Sequence, residues 1–172
     1  MDLETQLTGD RLVFAGRGGC GKSRLMDTLV AAGWAGVDGD DKHTDEGRDL
    51  ILFGGKPLGA DYVGAWMERI ADDVRGFPAE RNVAVACAAI LRPDRAALRR
   101  LIPGVRIVLL VVATSVAFRR MQERPGHWYR PARPADTVVD LPGDDEPDVL
   151  VVDGRLPPEL ILHIAGTWMQ QL

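Results

Sequence analysis

The run Gly16-Arg17-Gly18-Gly19-Cys20-Gly21-Lys22-Ser23 constrains this chain more than any other stretch. It fits the phosphate-binding pattern G-x-x-x-x-G-K-S/T at every position. Residues 11–15, just before it, are a short apolar run that reads as a buried strand. Residues 24–32, just after it, read as a helix that stops at Gly33. Strand, glycine loop and helix in that order give the context the motif requires.

The residue types suit a triphosphate. Glycines let the backbone turn tightly and bring N–H groups inward. The helix that starts near Lys22 adds unpaired N–H groups and the positive end of its dipole. Lys22 supplies a full charge for the β- and γ-phosphates, and the Ser23 hydroxyl suits Mg²⁺, which bridges them. Gly16, Gly18, Gly19, Cys20, Gly21, Lys22, Ser23 and Arg24 are therefore the expected nucleotide-contacting set, with ATP or GTP as donor. Gly16, Gly18 and Gly21 also spell G-x-G-x-x-G, and Asp38 follows near the distance of a dinucleotide-binding acid. Lys22-Ser23 decides against that reading, because a dinucleotide pyrophosphate needs no lysine at this point.

A chain of 172 residues suits one domain with a proper core, and its 46% hydrophobic and 27% charged residues are ordinary for a globular protein. The formal net charge of −4 gives no general electrostatic case for nucleic acid or an anionic membrane. No apolar run approaches the length of a membrane helix, and no secretory signal pattern is visible, so the expected location is cytoplasmic. Cys20 and Cys87 offer neither zinc spacing nor a disulfide framework. They read as two reduced thiols, with Cys20 placed so that alkylation would inhibit.

A short second strand is expected to end at Asp38, followed by Asp38-Gly39-Asp40-Asp41-Lys42-His43. In an open parallel sheet, ligands gather at the carboxyl ends of strands. One of Asp38 and Asp40 then holds Mg²⁺ through water, and the other accepts the proton of an attacking hydroxyl. The plainer alternative is a solvated acidic turn. Residues 44–60 are rich in turn formers, with a helical piece at 46–53. Residues 61–75 carry Val63, Trp66, Met67, Ile70, Ala71 and Val74 at helical spacing. Strands follow at 82–87, 105–112 and 148–153, and helices at 93–101, 117–124 and 157–172. Thr114 or Ser115 is the expected cap of the penultimate helix. Arg92 and Arg95 lie nearest a strand end and are the candidates for a charged acceptor. The basic, aromatic and proline-rich stretch 125–134 reads as a cover, and Arg120, Arg124 and Arg130 are within reach of a triphosphate. Strands alternating with helices give an α/β fold with a mostly parallel sheet.

With these residues in view, the chain resembles the gluconokinase branch of the small P-loop kinases, which is similar to shikimate and adenylate kinases. The phosphate loop matches. Asp38-Gly39-Asp40-Asp41-Lys42-His43 is similar to the family's acid-Gly-Asp-x-x-His. Gly55-Lys56-Pro57-Leu58 with Asp61 and Trp66 looks like its G-x-P-L-x-D-x-D-R-x-x-W-L. Residues 85–92 with Arg95 and Arg99 look like V-A-C-S-A-L-K-R-x-Y-R-x-x-L-R. Arg120 and Arg124-Pro125-Gly126-His127 look like the family's lid segment. The resemblance implies a P-loop NTPase three-layer α/β/α sandwich, with a five-stranded parallel sheet of order 2-3-1-4-5. It also implies an acceptor-binding segment at about 39–76 and a lid at about 125–140. It implies transfer of a γ-phosphate to a sugar-acid hydroxyl, and it is compatible with a homodimer. By that carry-over, Lys22, Asp40 and Arg124 are catalytic, with Asp40 facing the acceptor hydroxyl. Ser23 and Asp38 serve the hydrated Mg²⁺, and Arg120 and Arg124 approach the phosphates. His43, Arg92, Arg95 and His127 face the acceptor together with Asp40.

The departures fall on the acceptor side. Ala88 and Leu91 stand where the family has Ser and Lys, and Asp61-Tyr62-Val63-Gly64 stands where it has D-x-D-R. Each lost buried polar partner costs roughly 1–3 kcal/mol of discrimination. The donor half is thus kept and the acceptor half rewritten. Two acceptors follow as expectations: a sugar acid, or the hydroxyl of an antibiotic such as a capuramycin-type nucleoside. Trp128 and Tyr129 either contact such an acceptor or simply pack the lid. A nucleotide-hydrolysing regulator without an acceptor is the third reading.

Overall fold

The computed structural model describes residues 9–53, 58–124, 129 and 138–171. The apolar run before the glycine loop is strand β1 (Arg11–Gly16), and it lies at the centre of the sheet. Helix α1 (Lys22–Ala31) leaves the loop and returns the chain to β2 (Ala35–Asp38) at one edge. A 3-10 turn over Gly39–Lys42 leads to α2 (Asp45–Phe53) and α3 (Ala60–Arg75). Then come β3 (Val83–Cys87), α4 (Arg92–Leu101), β4 (Arg106–Val111), α5 (Thr114–Glu123), β5 (Val149–Asp153) and α6 (Pro158–Met169).

All strand pairings are parallel, and the order is β2-β3-β1-β4-β5. Central β1 pairs Val13 with Val85 on one side and with Ile107 on the other. Because side chains alternate along a strand, β1 feeds two cores. Val13 and Ala15 join α3 and α4 residues such as Met67, Ile70 and Leu98. Leu12 and Phe14 join α1, α5 and α6 residues such as Leu25, Leu29, Ala117 and Ile161. Helices therefore cover both faces, which makes the three layers. Val83, Val85, Ile107 and Leu109 are fully buried, as uninterrupted apolar runs in a parallel sheet require.

One local expectation needs correction. Thr114 and Ser115 do not cap α5 from outside; Ala113 stands at the N-cap and the helix already includes both residues. The Thr114 hydroxyl instead accepts a 2.6 Å hydrogen bond from Arg17 Nη1. Residues 39–42 form a 3-10 turn because the Asp38 carboxylate accepts from the Asp40 N–H at 3.0 Å.

Candidate active site

The glycine loop joins β1 to α1 at the carboxyl end of the central strand. Its shape is fixed by close packing on α5. Gly19 has φ +78°, and a Cβ there would lie 2.3 Å from the Ala117 carbonyl oxygen. Gly18 is nearly as tight, with the Met121 sulfur 2.8 Å from where a Cβ would be. The first residues of α1 leave N–H groups without intrahelical acceptors, facing whatever occupies the loop. Lys22 Nζ donates to the Arg17 carbonyl at 3.0 Å, so its ammonium is held across the loop.

In front of the loop lies a cavity of about 670 Å³. Gly18, Gly19, Gly21, Lys22, Ser23 and Arg24 form its phosphate-loop wall. Arg120 and Arg124, from α5 and its end, line it as well. Arg120 Nη1 donates to the Gly154 carbonyl at 2.8 Å, which ties α5 to the turn after β5. Asp40 and His43 enter from the turn after β2. Of the predicted loop set, Gly16 and Cys20 stand behind the wall: Cys20 is buried in the core and Gly16 packs against it.

Asp38 also stands behind the wall, and its position is informative. Its Oδ2 accepts from the Ser23 hydroxyl at 2.8 Å, and its Oδ1 accepts from the Asp40 N–H. One carboxylate thus joins the end of the phosphate loop to Asp40 on the cavity wall. A hydroxyl and a carboxylate in contact are hard oxygen donors of the kind Mg²⁺ prefers. Among the described residues no group of three or more His, Cys, Asp or Glu side chains is arranged to hold a metal. The Ser23–Asp38 pair fits an ion held by one or two protein oxygens together with phosphates and water.

His43 sits in an aromatic setting. Its ring runs parallel to Trp66 and Tyr62, with centroids at 5.1 and 5.9 Å, and its Nδ1 shares a 3.0 Å hydrogen bond with the Tyr62 hydroxyl. Trp66 is anchored in turn, its Nε1 donating to the Gly39 carbonyl at 2.7 Å. Burial lowers the His43 pKa; the nearby Asp40 pulls it up, and Arg48 and Arg69 push it down again.

The structure does not bring Arg92 and Arg95 to the cavity. The Arg92 guanidinium pairs with Asp145 at the surface. Arg95 is fully buried, with a bidentate pair to Glu146 at 3.0 and 2.6 Å. Its Nη1 donates to the carbonyls of Ile90 and Asp140. Arg99 joins the same cluster through Glu146 and Asp148. Arg95 therefore clamps residues 140–146 onto the loop after β3 and faces no acceptor. The signal was present in the sequence: Arg95 precedes Leu98 and Ile102 by three and seven residues, which puts it on the buried stripe of α4. His127 and Arg130, with most of the expected lid, lie outside the described residues; Tyr129 is described and lines the cavity.

The wall residues not expected from the sequence include Ile51 on α2, Ile90 beside Leu91, and Asp94 in the first turn of α4. Val63, Trp66, Ala88 and Leu91 complete much of that side. Ala88 and Leu91, two of the positions at which the chain departs from the gluconokinase pattern, thus stand on the cavity wall.

No family model and no curated protein matches the chain. Solved structures do. A sugar kinase from Janibacter sp. HTCC2649 is 27% identical with a TM-score of 0.79, over 94% of each chain. A gluconokinase from Sinorhizobium meliloti 1021 is 25% identical with a TM-score of 0.71, over 96% of this chain and 94% of that one. Shikimate kinase from Aquifex aeolicus shares the fold at 18% identity and a TM-score of 0.56, over 93% of this chain and 96% of that one. The sheet order, the loop at the end of β1 and these likenesses agree: the chain is built as a gluconokinase-like P-loop kinase.

Proposed function

We propose that the protein is a small-molecule kinase that transfers the γ-phosphate of ATP or GTP to a hydroxyl of a small acceptor. The observation that carries this reading is the shared cavity: Lys22 and the phosphate loop on one wall, Asp40 on the other. In-line transfer needs a donor phosphate, an acceptor oxygen and a proton acceptor close together. The acceptor oxygen forms its bond to the γ-phosphorus as the bond to the departing nucleoside diphosphate breaks. Asp40 takes the hydroxyl proton. Lys22 and the loop N–H groups hold the β- and γ-oxygens, and Arg120 and Arg124 offset the negative charge spread over the transferring group. Ser23 and Asp38 would hold Mg²⁺, which would supply charge neutralisation to the phosphates.

Likeness to a sugar kinase and a gluconokinase supports a sugar or sugar-acid acceptor. The apolar wall formed by Ile51, Val63, Ile90 and Leu91 favours the second reading, phosphorylation of an antibiotic hydroxyl such as that of a capuramycin-type nucleoside. A cavity extending past the phosphate loop speaks against a regulator that only hydrolyses nucleotide.

The test is nucleoside diphosphate release at fixed Mg²⁺ with ATP and with GTP, across sugar acids, cyclitols and nucleoside or aminoglycoside antibiotics. Lys22→Met and Asp40→Asn should each abolish acceptor-dependent release, with unchanged circular dichroism and melting. Near-normal turnover of Asp40→Asn would remove Asp40 as proton acceptor. Release indifferent to every acceptor would refute the kinase reading.

A further inference from the structure

We infer that the acceptor end of the cavity selects an alcohol with an apolar face and no anionic group, and that Leu91 and Asp94 set this selection. The inference rests on the phosphotransfer reading above and narrows it to a class of acceptor.

Sheet order divides the cavity. The described cations on its wall are Lys22, Arg24, Arg120 and Arg124. All belong to elements that follow β1 and β4, the centre and one half of the sheet. A triphosphate engages that side. The opposite wall comes from elements that follow β2 and β3, on the other half of the sheet. Its larger apolar members are Ile51, Leu58, Val63, Trp66, Ile90 and Leu91. Leu91 is 38% exposed, a large apolar side chain left facing the opening. Such surface gains by being covered with apolar surface and loses by facing a hydrated charge.

The charged groups on that wall, among the described residues, are the two carboxylates Asp40 and Asp94. Arg92 and Arg95, the cations next in sequence, are engaged by Asp145 and Glu146. Arg48 and Arg69 approach from α2 and α3 without lining the cavity. Arg48 Nη2 meets the Asp40 carbonyl at 3.5 Å, and Arg69 Nε the Lys42 carbonyl at 2.8 Å. Asp94 is half-buried, and its Oδ2 accepts from the Leu91 N–H at 3.2 Å, which fixes carboxylate and leucine side by side. Burial holds the Asp94 carboxyl above its usual range, against the pull of the Leu91 N–H and Arg95. A second anion brought beside it would meet the repulsion of that carboxylate, while Arg95, the cation acting on Asp94, is already engaged by Glu146. Exclusion by an unfavourable contact discriminates as effectively as a favourable one selects.

The experiment is a two-by-two binding matrix on the full chain with Mg²⁺ and a non-hydrolysable ATP analogue. Its probes are methyl and phenyl β-D-glucopyranoside and methyl and phenyl β-D-glucuronide, read by titration calorimetry or ligand-observed NMR. Phenyl glucoside should bind at least about tenfold more tightly than methyl glucoside, the scale of a small apolar group in a pocket. It should also bind about tenfold more tightly than phenyl glucuronide. Asp94→Asn should narrow the glucoside–glucuronide gap and keep the phenyl advantage. Leu91→Lys, at an exposed position, should lower the phenyl advantage and favour glucuronide. Equal or tighter binding of glucuronides, no gain from the phenyl group, or no binding by any of the probes would overturn the inference. Binding of a fluorescent ATP analogue, run in parallel, separates the two readings. Its absence counts against the kinase itself, whereas nucleotide binding with a preference for glucuronide leaves the kinase standing and removes only this acceptor class.

Discussion

Arg95 is a charged side chain with no exposed surface, so its pairing with Glu146 must be close to complete. Taking one partner from a buried ion pair leaves an uncompensated charge and costs roughly 3–5 kcal/mol. Arg95→Leu should destabilise on that scale in urea titrations, although leucine suits the neighbouring Leu98. A residue that merely bound an acceptor would change KM and leave the urea midpoint in place. The same pair gives a pH dependence. Glu146 has its pKa lowered to about 2 from the ordinary 4.5, chiefly by hydrogen bonds from Arg95 and, after the opposing effect of burial, from Arg99. The unfolded chain therefore takes up this proton first as pH falls. The stabilisation is complete above about pH 4.5 and is lost as pH drops toward about 2. Urea midpoints measured through this window should fall less steeply in Glu146→Gln than in the parent chain. At the glycine loop, Gly19→Ala adds a Cβ at φ +78°, 2.3 Å from the Ala117 oxygen. Backbone strain of this kind costs about 1–3 kcal/mol before the clash is counted. The expected outcome is a lower melting temperature together with loss of nucleotide binding, since the loop must leave α5 to admit the methyl group.

Between elements, the contact that matters most for the acceptor side is α2 on α3. Gly47 lies on α2, and a Cβ there would fall 1.7 Å from the Tyr62 hydroxyl oxygen. That hydroxyl is the partner of His43 Nδ1. Gly47→Ala should push Tyr62 off His43 and weaken acceptor-dependent turnover. Nucleotide affinity should hold, because the phosphate loop is carried by β1 and α1. A titration with a fluorescent ATP analogue beside a turnover assay checks the split. Elements of this kind were the most legible part of the sequence. The apolar runs of β1, β3 and β4 and the amphipathic stripe of α3 are set by burial, and burial writes a period into the chain. The phosphate loop was legible because its chemistry is local and contiguous. What escaped was long-range polar pairing. Glu146 lies 51 residues from Arg95, and nothing in either neighbourhood announces the partnership. Asp94 and Ile51 reach the cavity wall through the packing of different helices, so no local pattern marks them either.

Across the whole molecule, the two cysteines report on the two cores that the sheet separates. Cys87, at the end of β3, belongs to the layer under α3 and α4, and Cys20 to the layer under α1 and α6. Both are buried, and burial pushes the Cys87 thiol up to about 12. Cys20 lies within the loop in sequence, but its side chain turns into the core at 1% exposure, so the alkylation expected to inhibit first requires the core to open. A thiol reagent at neutral pH should therefore find almost no fast-reacting group in the native protein and both thiols after unfolding. Strands β1, β3 and β4 contribute side chains to both layers, so losing one core removes the support of the other. The layers should then open together, in a single cooperative transition. Mass-resolved alkylation at increasing urea distinguishes the cases. Coincident labelling of Cys20 and Cys87 is expected, with a midpoint matching loss of circular dichroism. Labelling of Cys20 well before Cys87 would mean that the α1 and α6 layer opens on its own, and that the sheet with its α3 and α4 cover persists without it.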